Sequence, residues 1–259
     1  MTASAEARRP VPGSPGSGET VLAVETATDT GSVALVSKEG VRAEITLGLA
    51  LRHGDRILGA IDYALAETSL RIPDLAALAV SAGPGSFTGL RIGLATVKGL
   101  AEAHPLPIVA VPTLEALALN APGGEVPVCP LLDARKGEVY GALYAFPAGA
   151  DAPHAIIGEG AYAPADLAGK LRDALQDSGG DVLLLGEGAR VYRACFSGAL
   201  GARARFAEGP ANAPRAAAVG WLGLRRLAAG LIEDPLTLTP RYLRQSEAEL
   251  SRTRRPQPR

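Results

Sequence analysis

Two stretches of the chain follow one plan 108 residues apart, and that repetition restricts the fold more than any other feature of the sequence. Val21-Leu22-Ala23-Val24 is a short apolar run of the kind a buried strand gives, Glu25 opens a polar turn to Ser32, and Val33-Ala34-Leu35-Val36 returns. Val128 to Leu132 is again apolar, Asp133 stands in register with Glu25, the turn runs through Arg135, Lys136 and Gly137, and Val139 to Leu143 returns. Two copies of a hairpin-plus-helix unit, each with a carboxylate at its turn, predict an internal duplication. The expected architecture is α/β, with two similar lobes facing a cleft.

Between the copies the pattern alternates. Helical spacing over about Gly54 to Thr68 puts Ile57, Leu58, Ile61 and Leu65 on one face. A strand at Leu78-Ala79-Val80 leads into Gly83-Pro84-Gly85-Ser86-Phe87-Thr88-Gly89-Leu90-Arg91-Ile92-Gly93, after which Leu90, Leu94, Val97 and Ala101 recur at helical spacing. Ile108 to Val111 forms another strand closed by Pro112, with Thr113 as cap of a helix from Leu114 to Asn120. The second copy is the poorer one. After Phe146 comes a loop rich in proline and glycine, then a helix from Pro164 to Asp177 and a strand from Val182 to Leu185 with Gly186 and Gly188 behind it. A last helix, Arg215 to Gly230, buries Trp221, Leu224 and Leu227 and packs back on the first lobe. The expected division is a disordered leader at 1–19, a first lobe at 20–112, a second and reduced lobe at 113–212, a helix and strand at 213–243 that return to the first lobe, and an arginine-rich tail at 244–259.

The glycine run sits at the carboxyl end of a strand, where open α/β sheets bind ligands and where helix N-termini offer N–H groups to anions. It has the outline of a phosphate loop but no Gly-x-x-x-x-Gly-Lys-Ser/Thr pattern, and Lys98 lies too far into the helix to meet phosphates. Its glycines serve equally for positive φ and for the close approach of a neighbouring backbone. Phe87 at the turn tip calls for a partner surface, since an aromatic ring gains only when buried. A kinase of this architecture would use Glu25, Asp29 or Asp133 to position Mg²⁺ or a base, yet Arg135 and Lys136 stand ready to neutralise Asp133 in a plain salt bridge. His-Glu-x-x-His and Gly-x-Ser-x-Gly patterns are absent from the sequence, which argues against a protease.

No apolar stretch reaches membrane-spanning length, so no membrane association is expected. The first nineteen residues lack the apolar core of a secretory signal, and Cys129 and Cys195 have no metal-like spacing; both point to a reducing cytoplasm. The formal net charge is −1, which gives the body of the protein no general affinity for nucleic acid, although six arginines lie from Arg241 to the end against Glu247 and Glu249.

Five segments together carry a resemblance: residues 24–35, Gly83 to Gly93, Pro112-Thr113-Leu114-Glu115-Ala116, Asp133 to Tyr140, and Tyr242-Leu243-Arg244. In these the chain resembles, over about 20 to 245, the TsaB family, the dimerisation subunits of the bacterial machinery that attaches a threonylcarbamoyl group to the adenosine beside the tRNA anticodon. The resemblance implies the two-lobed fold of actin, sugar kinases and Hsp70 chaperones, with duplicated ribonuclease-H-like lobes. It implies a non-catalytic subunit that binds and activates the catalytic relative TsaD, joined by the ATPase subunit TsaE, or pairs with a second copy when alone. ATP and a metal would belong to the partner subunits, this chain having no cofactor of its own, and contact with tRNA would be indirect or weak. TsaD carries a His-x-x-x-His metal motif at positions that fall here on Thr113 and Leu117, and His53, His104 and His154 are too scattered to replace it. The interface implied comprises Ile57, Ala60, Ile61 and Ala64 of the first helix with Phe87, Gly89, Leu90, Arg91, Gly93 and Leu94 of the second. Glu25, Asp133 and Arg135 would remain as a vestigial cleft. The alternative is an ATP-dependent kinase of the same fold acting on a small metabolite or a protein.

Overall fold

The computed structural model describes residues 19–48, 53–121, 126–147, 149, 152–176 and 180–243. The leader (Glu19 apart) and the arginine-rich tail expected at the two ends lie outside the described residues.

Strands β1 (Val21–Glu25), β2 (Thr30–Ser37), β3 (Gly40–Gly48), β4 (Ala77–Gly83) and β5 (Ile108–Pro112) form a sheet in the order β3-β2-β1-β4-β5. The three on one side are antiparallel, and β1, β4 and β5 are parallel. A second sheet repeats this with β6 (Val128–Arg135), β7 (Glu138–Ala145), β8 (His154–Tyr162), β9 (Val182–Leu185) and β10 (Ala204–Phe206) in the order β10-β9-β6-β7-β8. Its pairing pattern matches strand for strand: β6–β7 and β7–β8 antiparallel, β6–β9 and β9–β10 parallel. The duplication read from the two hairpins therefore extends to whole sheets.

The strands β3, β8 and β10 had no counterpart in the sequence reading, and β8 replaces most of the loop expected after Phe146. The second lobe keeps all five strands, and its reduction falls on the helices. Where the first lobe has the 17-residue α2 (Phe87–Ala103), the second has α5 (Glu187–Val191) and α6 (Arg193–Leu200), five and eight residues long.

β1 is buried along its whole length, as a central strand covered on both faces must be. Leu22, Val24, Leu78 and Val80 face α1 (His53–Thr68) and α2, meeting Ile57, Ile61, Leu94 and Val97. Val21, Ala23, Ala77 and Ala79 point to the other side, where Ala216, Val219 and Leu222 of α7 (Ala216–Ala228) cover them. The last helix thus returns to the first lobe, but its buried stripe differs from the expected one: Trp221 is exposed, and Leu224 and Leu227 are only partly buried. Gly220 and Gly223 let the helix lie close to the sheet; a Cβ at Gly220 would stand 2.6 Å from Val36 Cγ2.

α3 (Thr113–Ala118) joins the lobes. Ala116 packs with the α7 layer, while Leu114, Leu117 and Ala118 pack with Val128, Leu132 and Leu185 of the second sheet. Thr113 does not cap it. Pro112 holds the N-cap position, and the buried Thr113 hydroxyl is the first helical residue's. In the second lobe α4 (Pro164–Ala174) covers β7 through Leu167 and Leu171. The strand expected after α7 is not formed among the described residues. An extended segment returns instead, with Glu233 N–H donating to Ile108 O at 2.9 Å.

Candidate functional site

The β4–α2 turn is built against the β1–β2 turn. Ser86 caps α2 by accepting the Gly89 N–H at 3.3 Å, and Ser86 N–H donates to Ala27 O at 2.7 Å. A Cβ at Gly85 would lie 2.5 Å from Ala27 O, and side chains at Gly89 and Gly93 would collide with the carbonyl oxygen and the hydroxyl of Thr26. The glycines of the run therefore serve backbone packing. The second lobe repeats the device: Gly186 has φ +101°, and a Cβ on Gly188 would meet the Leu131 carbonyl carbon at 3.0 Å.

Between the two turns lies a cleft of about 320 Å³. The first lobe contributes Thr28, Asp29 and the start of α2; the second contributes Asp133, Arg135, Tyr140 and Glu187. Asp133 Oδ1 accepts the Arg135 N–H at 2.9 Å and the Tyr192 hydroxyl at 3.2 Å, and its Oδ2 stands 3.4 Å from the Arg135 guanidinium, the salt bridge expected from their adjacency. Glu187 was not foreseen. It occupies the first position of α5, the counterpart of Phe87 in α2, and burial together with the nearby Asp29 raises its carboxyl above the usual range.

Glu25 does not line the cleft. It shares strand parity with Val21 and Ala23, which sends its side chain under the α7 layer, and it is fully buried. Its Oε1 accepts the Ala27 N–H at 2.5 Å, while Oε2 and the neighbouring Ser81 Oγ make no hydrogen bond of normal geometry. Burial pushes its carboxyl up to about 7, partly offset by the Ala27 N–H and the Ser81 hydroxyl.

The first turn and the charges of this cleft offer little to a phosphate chain. The first turn's Ser86 and Gly89 N–H groups are already bonded within the protein, the space beside its glycines is filled by Thr26 and Ala27, and Asp29, Asp133 and Glu187 outnumber Arg135. Among the described residues no three His, Cys, Asp or Glu side chains lie together as a metal would require. Thr113 and Leu117, one helical turn apart on α3, are both fully buried.

The residues expected at a partner interface fall into two groups. Ile57, Ala60, Ile61, Ala64, Leu90 and Leu94 are buried within the first lobe, because the apolar stripes of α1 and α2 cover their own sheet; Gly89 and Gly93 are used against Thr26. That part of the expectation is corrected. On the outer faces stand Leu58 at 47 % and Tyr63 at 61 % exposure on α1, with Arg91 and Ala95 on α2. Leu58, expected in the buried stripe, is one position off it. Phe87, 40 % exposed, finds a partner within the chain: its ring stacks on Tyr242 with centroids 5.1 Å apart, and the Arg91 guanidinium lies 3.7 Å over it.

A family model described as "TsaD: tRNA N6-adenosine threonylcarbamoyltransferase" matches residues 38–252. The Bacillus subtilis (strain 168) "tRNA threonylcarbamoyladenosine biosynthesis protein TsaB" is 32 % identical over 230 residues, covering 89 % of this chain and 96 % of that protein. Its Escherichia coli (strain K12) namesake is 41 % identical over 126 residues, 48 % of this chain and 54 % of its own. Among solved structures, "YeaZ from Pseudomonas aeruginosa" superposes with a TM-score of 0.71 at 27 % identity, covering 86 % of this chain and 99 % of that one. With a relative 32 % identical and aligned nearly end to end, the chain belongs to the TsaB family.

Proposed function

We propose that this chain is a non-catalytic subunit in the biosynthesis of threonylcarbamoyladenosine beside the tRNA anticodon, binding TsaD and holding it in its active arrangement. The observation that carries the reading is the contrast between α3 and α1. α3 has buried Thr113 and Leu117 at the positions matched to the metal-binding histidines of TsaD, whereas α1 leaves Leu58 and Tyr63 exposed on a helix whose other side is already packed. Helices α1 and α2, of 16 and 17 residues, offer faces long enough for half of a standard interface of roughly 1,600 Å². Gly59 and Gly99 on those helices have open space where a Cβ would be, which allows close approach by a partner's helices. A second copy of the chain would use the same faces in the absence of TsaD.

In this reading the protein works in the cytoplasm, TsaE joins the assembly, and ATP and the metal belong to the partner subunits. Contact with tRNA is indirect. The test is co-purification with TsaD after replacing Leu58 and Tyr63 together by Asp. Complex formation should be lost on size exclusion while the circular dichroism of the subunit stays unchanged; a normal complex would overturn the assignment of these faces. Titration of the lone protein with Mg-ATP separates the alternative, since binding at micromolar concentration would favour a kinase.

A further inference from the structure

After α7 the chain crosses the first lobe and is fastened at several points. Leu238 is buried in the core of the first lobe, beside Leu94 of α2. Arg241 N–H donates to Ala82 O at 2.7 Å, and the Arg241 carbonyl oxygen occupies the space beside Gly83, where φ is +115° and a Cβ would stand 2.6 Å from that oxygen. Tyr242 stacks on Phe87 and its hydroxyl accepts the Arg91 Nε–H at 3.1 Å. These anchors all lie on the first lobe.

The Arg241 side chain leaves it. Its guanidinium stands 3.4 Å from Glu159 Oε2 on β8, in the second lobe. The Glu159 side chain is only 9 % exposed, and Oε1 accepts the Tyr144 hydroxyl at 3.0 Å. Glu115 and Arg226, close by, are paired with each other at 2.6 Å and offset one another. Withdrawal of Arg241 would leave a nearly buried carboxylate without its adjacent cation, an unfavourable state, so the contact is closed by default.

We propose that residues 238–242 form a latch between the lobes: the main chain is anchored on β4 and α2, and Arg241 holds the β8 edge of the second lobe through Glu159, fixing the width of the cleft. Its release would let the lobes separate.

The test uses the full chain with spin labels on Ala95→Cys and Arg172→Cys, both exposed and on opposite lobes, in a Cys195→Ser background. The parent should give one narrow distance distribution. Arg241→Ala and Glu159→Gln should each broaden it towards longer distances, and Arg241→Lys should restore it in large part. Hydrogen exchange at the Arg241 amide should quicken about tenfold in both disrupting variants, the factor that about 1.4 kcal/mol represents. Glu159→Gln keeps the shape and the Tyr144 hydrogen bond, so it carries the test alone should Arg241→Ala express poorly. Unchanged distances and exchange in Glu159→Gln would overturn the proposal.

Discussion

Thr26 Oγ1 donates to the carbonyl oxygen of Gly89 at 2.8 Å, and the bare α-carbon of the same glycine faces the carbonyl of Thr26. The first turn of α2 and the β1–β2 turn thus hold each other by a hydrogen bond that closes only because residue 89 has no side chain. Gly89→Ala should therefore destabilise the protein by about 1–3 kcal/mol, the usual cost of forcing atoms into a packed site, although alanine is the better helix former. Gly99→Ala on the same helix is the control. Nothing stands within 4 Å of its added Cβ, so urea unfolding should show it neutral or up to about 1 kcal/mol more stable.

That contact also marks what the sequence could reveal. The apolar runs and the carboxylate after each predicted the duplicated hairpins, and the glycine run without a lysine pointed away from phosphate towards close packing. β3 and β8 stayed hidden because Gly40–Gly48 and His154–Tyr162 are edge strands with weak alternation, half wet and interrupted by glycine or charge. The outward face of α1 was missed by one position, Leu58 being exposed where Ile57 is buried. Ile57 and Ile61 suit a sheet as well as a partner helix, and periodicity cannot say which apolar side is covered from within. The burial of Glu25 was partly within reach: it has the parity of Val21 and Ala23, and the return of the last helix to the first lobe was expected, though not the face it covers.

The Glu25 carboxyl titrates near 7 in the fold and at 4.5 when free. The native state therefore holds a proton that the unfolded chain has released between those values. Its stabilising effect is complete below about pH 4.5, declines as pH rises and is gone above about 7; the gap amounts to about 3 kcal/mol. Glu25→Gln keeps an acceptor for the Ala27 N–H and has no charge to bury. Its melting temperature should gain on the parent across that window and hold a constant lead above it. Parallel pH profiles would show that Glu25 is not the group responsible.

α7 covers a whole face of the first sheet, yet its N-cap residue, Arg215, supplies no capping side chain. The strands supply it instead: Ser32 Oγ accepts the Ala216 N–H at 2.9 Å, and Glu44 Oε1 accepts the Ala217 N–H at 3.0 Å while its other oxygen pairs with Arg215. A carboxylate at a helix N-terminus meets both free donors and the positive end of the helix dipole. At 11 % side-chain exposure, Glu44 is sheltered from most solvent screening. Glu44→Ala should cost about 1–3 kcal/mol in urea unfolding, and Glu44→Gln, which keeps an acceptor without the charge, roughly half as much. Hydrogen exchange localises the effect. The Ala217 amide should lose protection first in both variants, and protection of β1 should follow only in Glu44→Ala, because the helix that covers β1 is docked through this carboxylate. Equal losses across the second lobe would mean that the substitution acts globally and that α7 is held by its apolar stripe alone.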